Sequence, residues 1–171
     1  MLTAFAEAYV RRMAADLLST MSSEELFGEV VGAFDFAASR GLAPLAVRAF
    51  NPTLASDGYA TPGSVLETNT PDSPFLVDTV SEELGTHGLT PREVIHPVLG
   101  IERDAAGAIV RIAHARDAVT RESVMHFELD RRLEPAELES LAAGVRAVLR
   151  DVQATVRDFQ AMRARVAGMI E

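Results

Sequence analysis

Residues 64–84 read SVLETNTPDSPFLVDTVSEEL and change period partway through. Residues 64–69 alternate β-branched and polar side chains, as a short strand does. Asn69 to Pro74 is turn chemistry. From Pro74 the pattern turns helical: Leu76, Val77, Val80 and Leu84 share a stripe, and Asp78, Glu82 and Glu83 face away. Ser73 reads as the N-cap and Pro74 as the first helical residue, where a missing N–H costs nothing. His87-Gly88 closes the helix at its C-terminus. The stretch is a strand, a Pro-rich loop and a helix in sequence, and the rest of the chain is arranged around it.

Upstream, LAVRAF (45–50) reads as a strand stopped by Asn51-Pro52, and residues 53–63 are loop. Further upstream, residues 2–18 place Leu2, Phe5, Tyr9, Val10, Met13 and Leu17 at helical spacing. Ser22 and Glu25 form a capping box for a second helix carrying Leu26, Val30, Val31, Phe34 and Ala38, which ends at Arg40-Gly41. Residues 1–41 are thus expected to be a helical hairpin.

Downstream, EVIHPVLGIERD (93–104) and AIVRIAHA (108–115) flank a turn at Asp104–Gly107, a β-hairpin signal. Pro97 within the first arm implies an edge position or a bulge. SVMHFELD (123–130) places Met125, Phe127 and Leu129 on one side and Val124, His126, Glu128 and Asp130 on the other. It reads as a half-buried antiparallel strand. From Pro135 a long helix carries Leu138, Leu141, Val145, Val148, Leu149, Val152 and Val156, and it either breaks or continues at Asp158-Phe159-Gln160.

The order α-α-β-β-α-β-β-β-α predicts an α+β fold: a mostly antiparallel, ferredoxin-like sheet with helices on one face. An N-terminal helical hairpin precedes it and a long C-terminal helix closes it. Residues 42–171 form the αβ domain, which packs with residues 1–41 as one compact unit. A chain that stops within helix-forming sequence reads as a piece of a longer polypeptide.

The 171 residues are 48% hydrophobic and 24% charged, enough to bury a core without covalent staples. With no Cys, disulfides and thiolate metal sites are excluded. A net charge of −9 without a Lys/Arg cluster argues against nucleic acid as a partner. No apolar run is long enough to span a bilayer, and the N-terminus is too acidic for a secretory signal. The expected location is cytoplasmic.

There is no P-loop, no G-x-G-x-x-G and no G-x-S-x-G, so no cofactor-binding or catalytic residue is assigned. His87, His96, His114 and His126 lack metal-binding helical spacing. His96 could neighbour His126 or His114 across a sheet with Glu128 nearby, but each histidine reads as structural and no metal site is assigned. The Glu24-Glu25, Glu82-Glu83 and Glu137/Glu139 pairs read as solvated helix faces. That leaves the 69–74 loop. Small residues ahead of a helix N-terminus allow a carboxylate or small anion to approach the free N–H groups. Alternatively, Ser73 or Asp72 itself caps the helix. Asn69, Thr70, Asp72, Ser73 and Phe75 are the candidate effector-binding residues.

Asp72–Val80, Val94–Val98 (VIHPV) and Met125–Arg131 (MHFELDR), together with VRAFNP (47–52), resemble the N-terminal region of the large bacterial NAD-specific glutamate dehydrogenases. That family typically shows D-[MS]-P-F-L-V-D-S-V, then V-I-H-P-V, then M-H-x-E-[IL]-D-R. The resemblance runs from about residue 25 to the end. Phe159-Gln160 stands where the family would have Trp-Pro, and the last strand precedes the long helix; the strand at 45–50 is the candidate for the fourth position, and the module is read as ACT-like. The resemblance implies an ACT-like regulatory or assembly module, itself non-catalytic, within an enzyme that deaminates L-glutamate oxidatively with NAD. It also implies, as partners, other domains of that polypeptide, further copies in an oligomer and an amino-acid effector.

Overall fold

The computed structural model describes the backbone of residues 1–167 and the side chains through Asp158. Three helices, α1 (Leu2–Val10), α2 (Ala15–Thr20) and α3 (Ser23–Ser39), precede strand β1 (Ala46–Phe50) and the single turn α4 (Leu54–Asp57). Then come β2 (Val65–Pro71), α5 (Leu76–Thr86), β3 (Pro91–Ile95), β4 (Val98–Arg103), β5 (Ile109–His114), β6 (Arg121–Leu129) and α6 (Pro135–Ala167).

All strand pairs are antiparallel, and the sheet runs β1-β2-β6-β4-β5, with β3 also paired to β6. β1 is the outer partner of β2 and so takes the position for which the sequence pattern made it the candidate. β6 is central. Along its length it pairs β2 on one side, and β3 then β4 on the other. His96-Pro97 is the break between β3 and β4. It lies inside the sheet and not at an edge: Pro97 has no N–H to give the ladder, but its carbonyl accepts from Val124 N at 3.1 Å.

Alternation in the strands sends side chains to two cores. Leu66, Met125, Phe127 and Leu129 meet Leu76, Val80 and Leu84 of α5 and Leu141, Val145 and Leu149 of α6. On the other face, Ile95, Leu99, Ile101 and Val124 meet Phe5 and Tyr9 of α1 and Val30, Ala33 and Ala37 of α3. α5 and α6 thus share one face as expected, and the N-terminal helices cover the opposite one. Each large apolar side chain buried in this way contributes about 1.5–3 kcal/mol.

Several local expectations need correction. The helix expected over 2–18 is two helices. Tight i→i−3 bonds from Arg12 N to Tyr9 O (2.9 Å) and Met13 N to Val10 O (3.2 Å) end α1, and Ala14 is extended before α2. β6 is not half-buried: from Glu122 onward its residues are buried on both faces, because the α1–α3 layer lies over its polar side. The apolar stripe of α6 is consumed by its own domain from Leu138 to Val152. Of the two alternatives left open at Asp158-Phe159-Gln160 the helix takes continuation, running to Ala167, and residues 168–171, the end of the expected helical run, lie outside the described part. The capping box of α3 forms as read, Glu25 N donating to Ser22 Oγ and Ser22 N to Glu25 Oε2. Gly41 and Gly88 take the left-handed turns that follow α3 and α5.

Candidate ligand loop and the buried polar face

β2 delivers Asn69 and Thr70 into the sheet interior, and the chain then turns out. Asp72 N still donates to Arg121 O at 2.9 Å. Ser73 and Pro74 follow, and α5 begins at Leu76, two residues later than the spacing implied. Phe75 occupies the N-cap with φ 70° and ψ 6°, and no side chain caps the helix. Ser73 is therefore not the cap and Pro74 is not the first helical residue. Pro74 and Phe75 instead form a turn that sets Leu76, 2% exposed, into the core. Phe75 is the only residue other than glycine with positive φ among those described. The residue is 70% exposed.

The five candidate residues therefore separate. Asn69 is fully buried: its Nδ2 donates to Glu122 Oε2 (3.1 Å) and Ser123 O (3.2 Å), and its Oδ1 accepts from Arg40 Nε (2.8 Å). Thr70 is buried, with its hydroxyl on Pro71 O at 3.0 Å. Both side chains make their hydrogen bonds within the fold. Asp72 and Phe75 are exposed, and Ser73 Oγ is buried without a hydrogen-bond partner among the described residues. His96 Nε2 lies 2.8 Å from Ser123 Oγ, and burial lowers its pKa more than the nearby Asp72 raises it.

Under α3, the face of the sheet that was expected to meet solvent holds two buried polar clusters. The first joins the end of α3 to β2, β4 and β6. Arg103 grips Glu122 with two bonds, Nε to Oε1 (2.8 Å) and Nη2 to Oε2 (2.9 Å), while Arg40 pairs with Glu122 Oε1. Arg103 also donates to Ala37 O (2.8 Å), where the α3 dipole is negative. Burial works to raise the Glu122 pKa, but the Arg103 bonds and the Arg40 charge outweigh it and hold the carboxyl below its ordinary range.

The second cluster is centred on His126. Its Nδ1 lies 3.0 Å from Glu67 Oε1, across the β2–β6 pair that sets these residues opposite each other. Glu67 Oε2 takes Arg48 Nε at 2.5 Å, and Arg48 is held between the Phe36 and Phe50 rings. On the other side, Nε2 is 4.0 Å from Glu29 Oε1, which accepts from the Tyr9 hydroxyl at 2.9 Å. Tyr9, Glu29, Glu67 and His126 are each at most 1% exposed. Burial pushes Glu29, Glu128 and Tyr9 upward. In His126 burial pulls the other way, but the Glu67 bond and the Glu29 charge prevail and raise it. Donor atoms of Glu29, His126 and Glu128 lie within 4.8 Å of one another, and they form a metal-capable set that the sequence reading did not assign.

A separate shallow pocket of about 240 Å³ is lined by His87, Leu89, Arg131, Leu133 and Glu137. It is at the opposite end of α5 from the loop.

The four stretches that carried the family resemblance build this architecture: 47–52 the outer strand β1 and its end, 72–80 the turn and the start of α5, 94–98 the break between β3 and β4, and 125–131 the central strand and its end. A family model for the glutamate dehydrogenase ACT1 domain matches residues 5–145. The chain belongs to this family. The chain is 31% identical over 170 residues to the NAD-specific glutamate dehydrogenase of Halomonas elongata. It is 30% identical over 172 residues to that of Pseudomonas aeruginosa. Each alignment covers 98% of this chain, yet the chain spans only 10% and 11% of those relatives' lengths. Among its described residues, no helix of the ACT1 domain is long and apolar enough to cross a membrane.

Proposed function

We propose that this chain is a non-catalytic assembly module of an NAD-specific glutamate dehydrogenase, docking against other domains of that polypeptide or against another copy. The parent enzyme would convert L-glutamate to 2-oxoglutarate with NAD bound outside this chain, in the cytoplasm. The observation that carries the reading is Phe75. An aromatic residue held in a left-handed conformation costs about 1–2 kcal/mol, and such strain persists where the surroundings or the function require it. Here the residue is 70% exposed, so its own domain gains little from it. A partner surface covering Phe75 would account for both facts. The α6 stripe, a natural alternative contact, is already occupied by the sheet.

The second reading is an amino-acid effector held by Asp72, Ser73 and Phe75, favoured by the unpartnered Ser73 hydroxyl. Asn69 and Thr70 no longer support it, because their side chains are used internally. Thermal melting of the chain with a panel of L-amino acids separates the two. The assembly reading expects no shift with any of them. A saturable rise in Tm that disappears in Asp72→Ala would establish the effector reading instead.

A further inference from the structure

We infer that Glu29, His126 and Glu128 form a binding site for one divalent transition-metal ion of the Zn2+ or Mn2+ class, beneath α3 on the central strand. The first argument is convergence. One imidazole and two carboxylates, from α3 and β6, bring donor atoms within 4.8 Å of one another. At bond lengths of about 2.0–2.2 Å, tetrahedral ligand atoms sit roughly 3.4 Å apart, so side-chain adjustments of about 1 Å close the site.

The second, independent argument is what these groups lack. Glu29 Oε2 and His126 Nε2 are buried and have no hydrogen-bond partner among the described residues. Buried polar atoms are rarely left so, since each costs about 1–3 kcal/mol. Both residues belong to the convergent set, and a metal ion held there would give both groups a partner.

The third argument is the outer shell. A metal-binding histidine characteristically gives its other ring N–H to a carboxylate, which fixes the tautomer and aims the free lone pair at the ion. His126 Nδ1 meets Glu67 Oε1 at 3.0 Å, and Glu67 is itself anchored by Arg48. Glu29 likewise receives the Tyr9 hydroxyl at 2.9 Å on the oxygen that is not the orphan. The charge agrees as well. Glu29, Glu67 and Glu128 gather around His126, and among the described residues Arg48 pairs with Glu67 while Arg92 acts on Glu128 through its charge, so carboxylates outnumber guanidinium groups and a dication offsets the excess. Mixed nitrogen and oxygen donors suit Zn2+ and Mn2+ better than Ca2+ or Mg2+. Glu128, at 7% exposure, is the rim residue through which an ion would pass.

The inference is independent of the assembly reading and is tested on the full 171-residue chain, stripped with a chelator and titrated with ZnCl2 or MnCl2 alone. Calorimetry should show one equivalent bound, with a matching rise in Tm. Glu128→Gln, at the rim and so least disruptive to the core, should weaken binding at least tenfold while circular dichroism stays unchanged. His114→Ala and His87→Ala should bind as the wild type does. Without any variant, substoichiometric Mn2+ should broaden the His126 ring resonances in NMR and leave those of His114 sharp. No uptake of either ion at millimolar concentration overturns the site. So does wild-type affinity in Glu128→Gln, or broadening confined to His87 or His114.

Discussion

Asn69 Nδ2 lies 3.1 Å from Glu122 Oε2, and the same amide accepts from Arg40 through its oxygen. A residue that a loop-based reading offers to a ligand is thus the hub that ties the end of α3 to the sheet. Asn69→Ala should lose about 1–3 kcal/mol in urea unfolding, because buried partners are left unsatisfied. The exposed Asp72→Ala should stay within about 0.5 kcal/mol. Equal effects of the two would contradict this division of the loop.

Glu122 sets a pH dependence. Its folded-state pKa is depressed, so its contribution is fully present above the unfolded value of about 4.3 and is lost as pH falls through the lower folded value. Glu122→Gln should cost about 3–5 kcal/mol at neutral pH by leaving Arg40 and Arg103 buried without their anion. It should also flatten the acid limb of the stability curve below about pH 4.3. An unchanged acid slope in the variant would show that the carboxylate is not paired as described.

Phe75 supplies a test of strain. Asn tolerates the left-handed region better than any aromatic residue, and the exposed ring leaves little packing to lose. Phe75→Asn should therefore stabilise the chain by about 0.5–1 kcal/mol in chemical denaturation. A loss of similar size would mean that the ring packs within its own domain.

Two glycines should respond in opposite directions. A Cβ at Gly28 would sit 2.8 Å from Asp57 O and from Gly58 C, backbone atoms that cannot swing away. Gly28→Ala should cost about 1–3 kcal/mol by prising α3 from the α4 turn. At Gly85, inside α5, nothing lies within 4 Å. Gly85→Ala should gain about 0.5–1 kcal/mol from helix propensity. Thermal melts of both variants would show a reversed order if α3 or α5 were packed otherwise.

Periodicity was sufficient for what is local. The Ser22–Glu25 box, the Asp104–Gly107 turn and the Met125-Phe127-Leu129 face are written in neighbouring residues, and all three form. The polar face of β6 was misread for a physical reason. Alternation reports that Val124, His126 and Glu128 share a side, but the partners that allow that side to be buried are remote: Glu67 lies 59 positions away in sequence. One signal was available. Glu29 falls on the helical stripe with Ala33, Phe36 and Ala37, the face α3 turns inward, and a carboxylate there requires a buried partner. The start of α5 was misplaced because Ser-Pro after a strand has good capping chemistry, whereas burying Leu76 decided where the helix begins.

The central claim is that the Phe75 surface is a contact within the larger enzyme. Mass photometry of an intact glutamate dehydrogenase carrying this domain, wild type against Phe75→Asp, tests it most directly. The account predicts that Phe75→Asp shifts the midpoint of subunit dissociation at least tenfold, or leaves the ACT1 domain newly susceptible to proteolysis, while added L-amino acids have no effect. Unchanged assembly and protease resistance in the variant, together with amino-acid binding lost in Asp72→Ala, would contradict it.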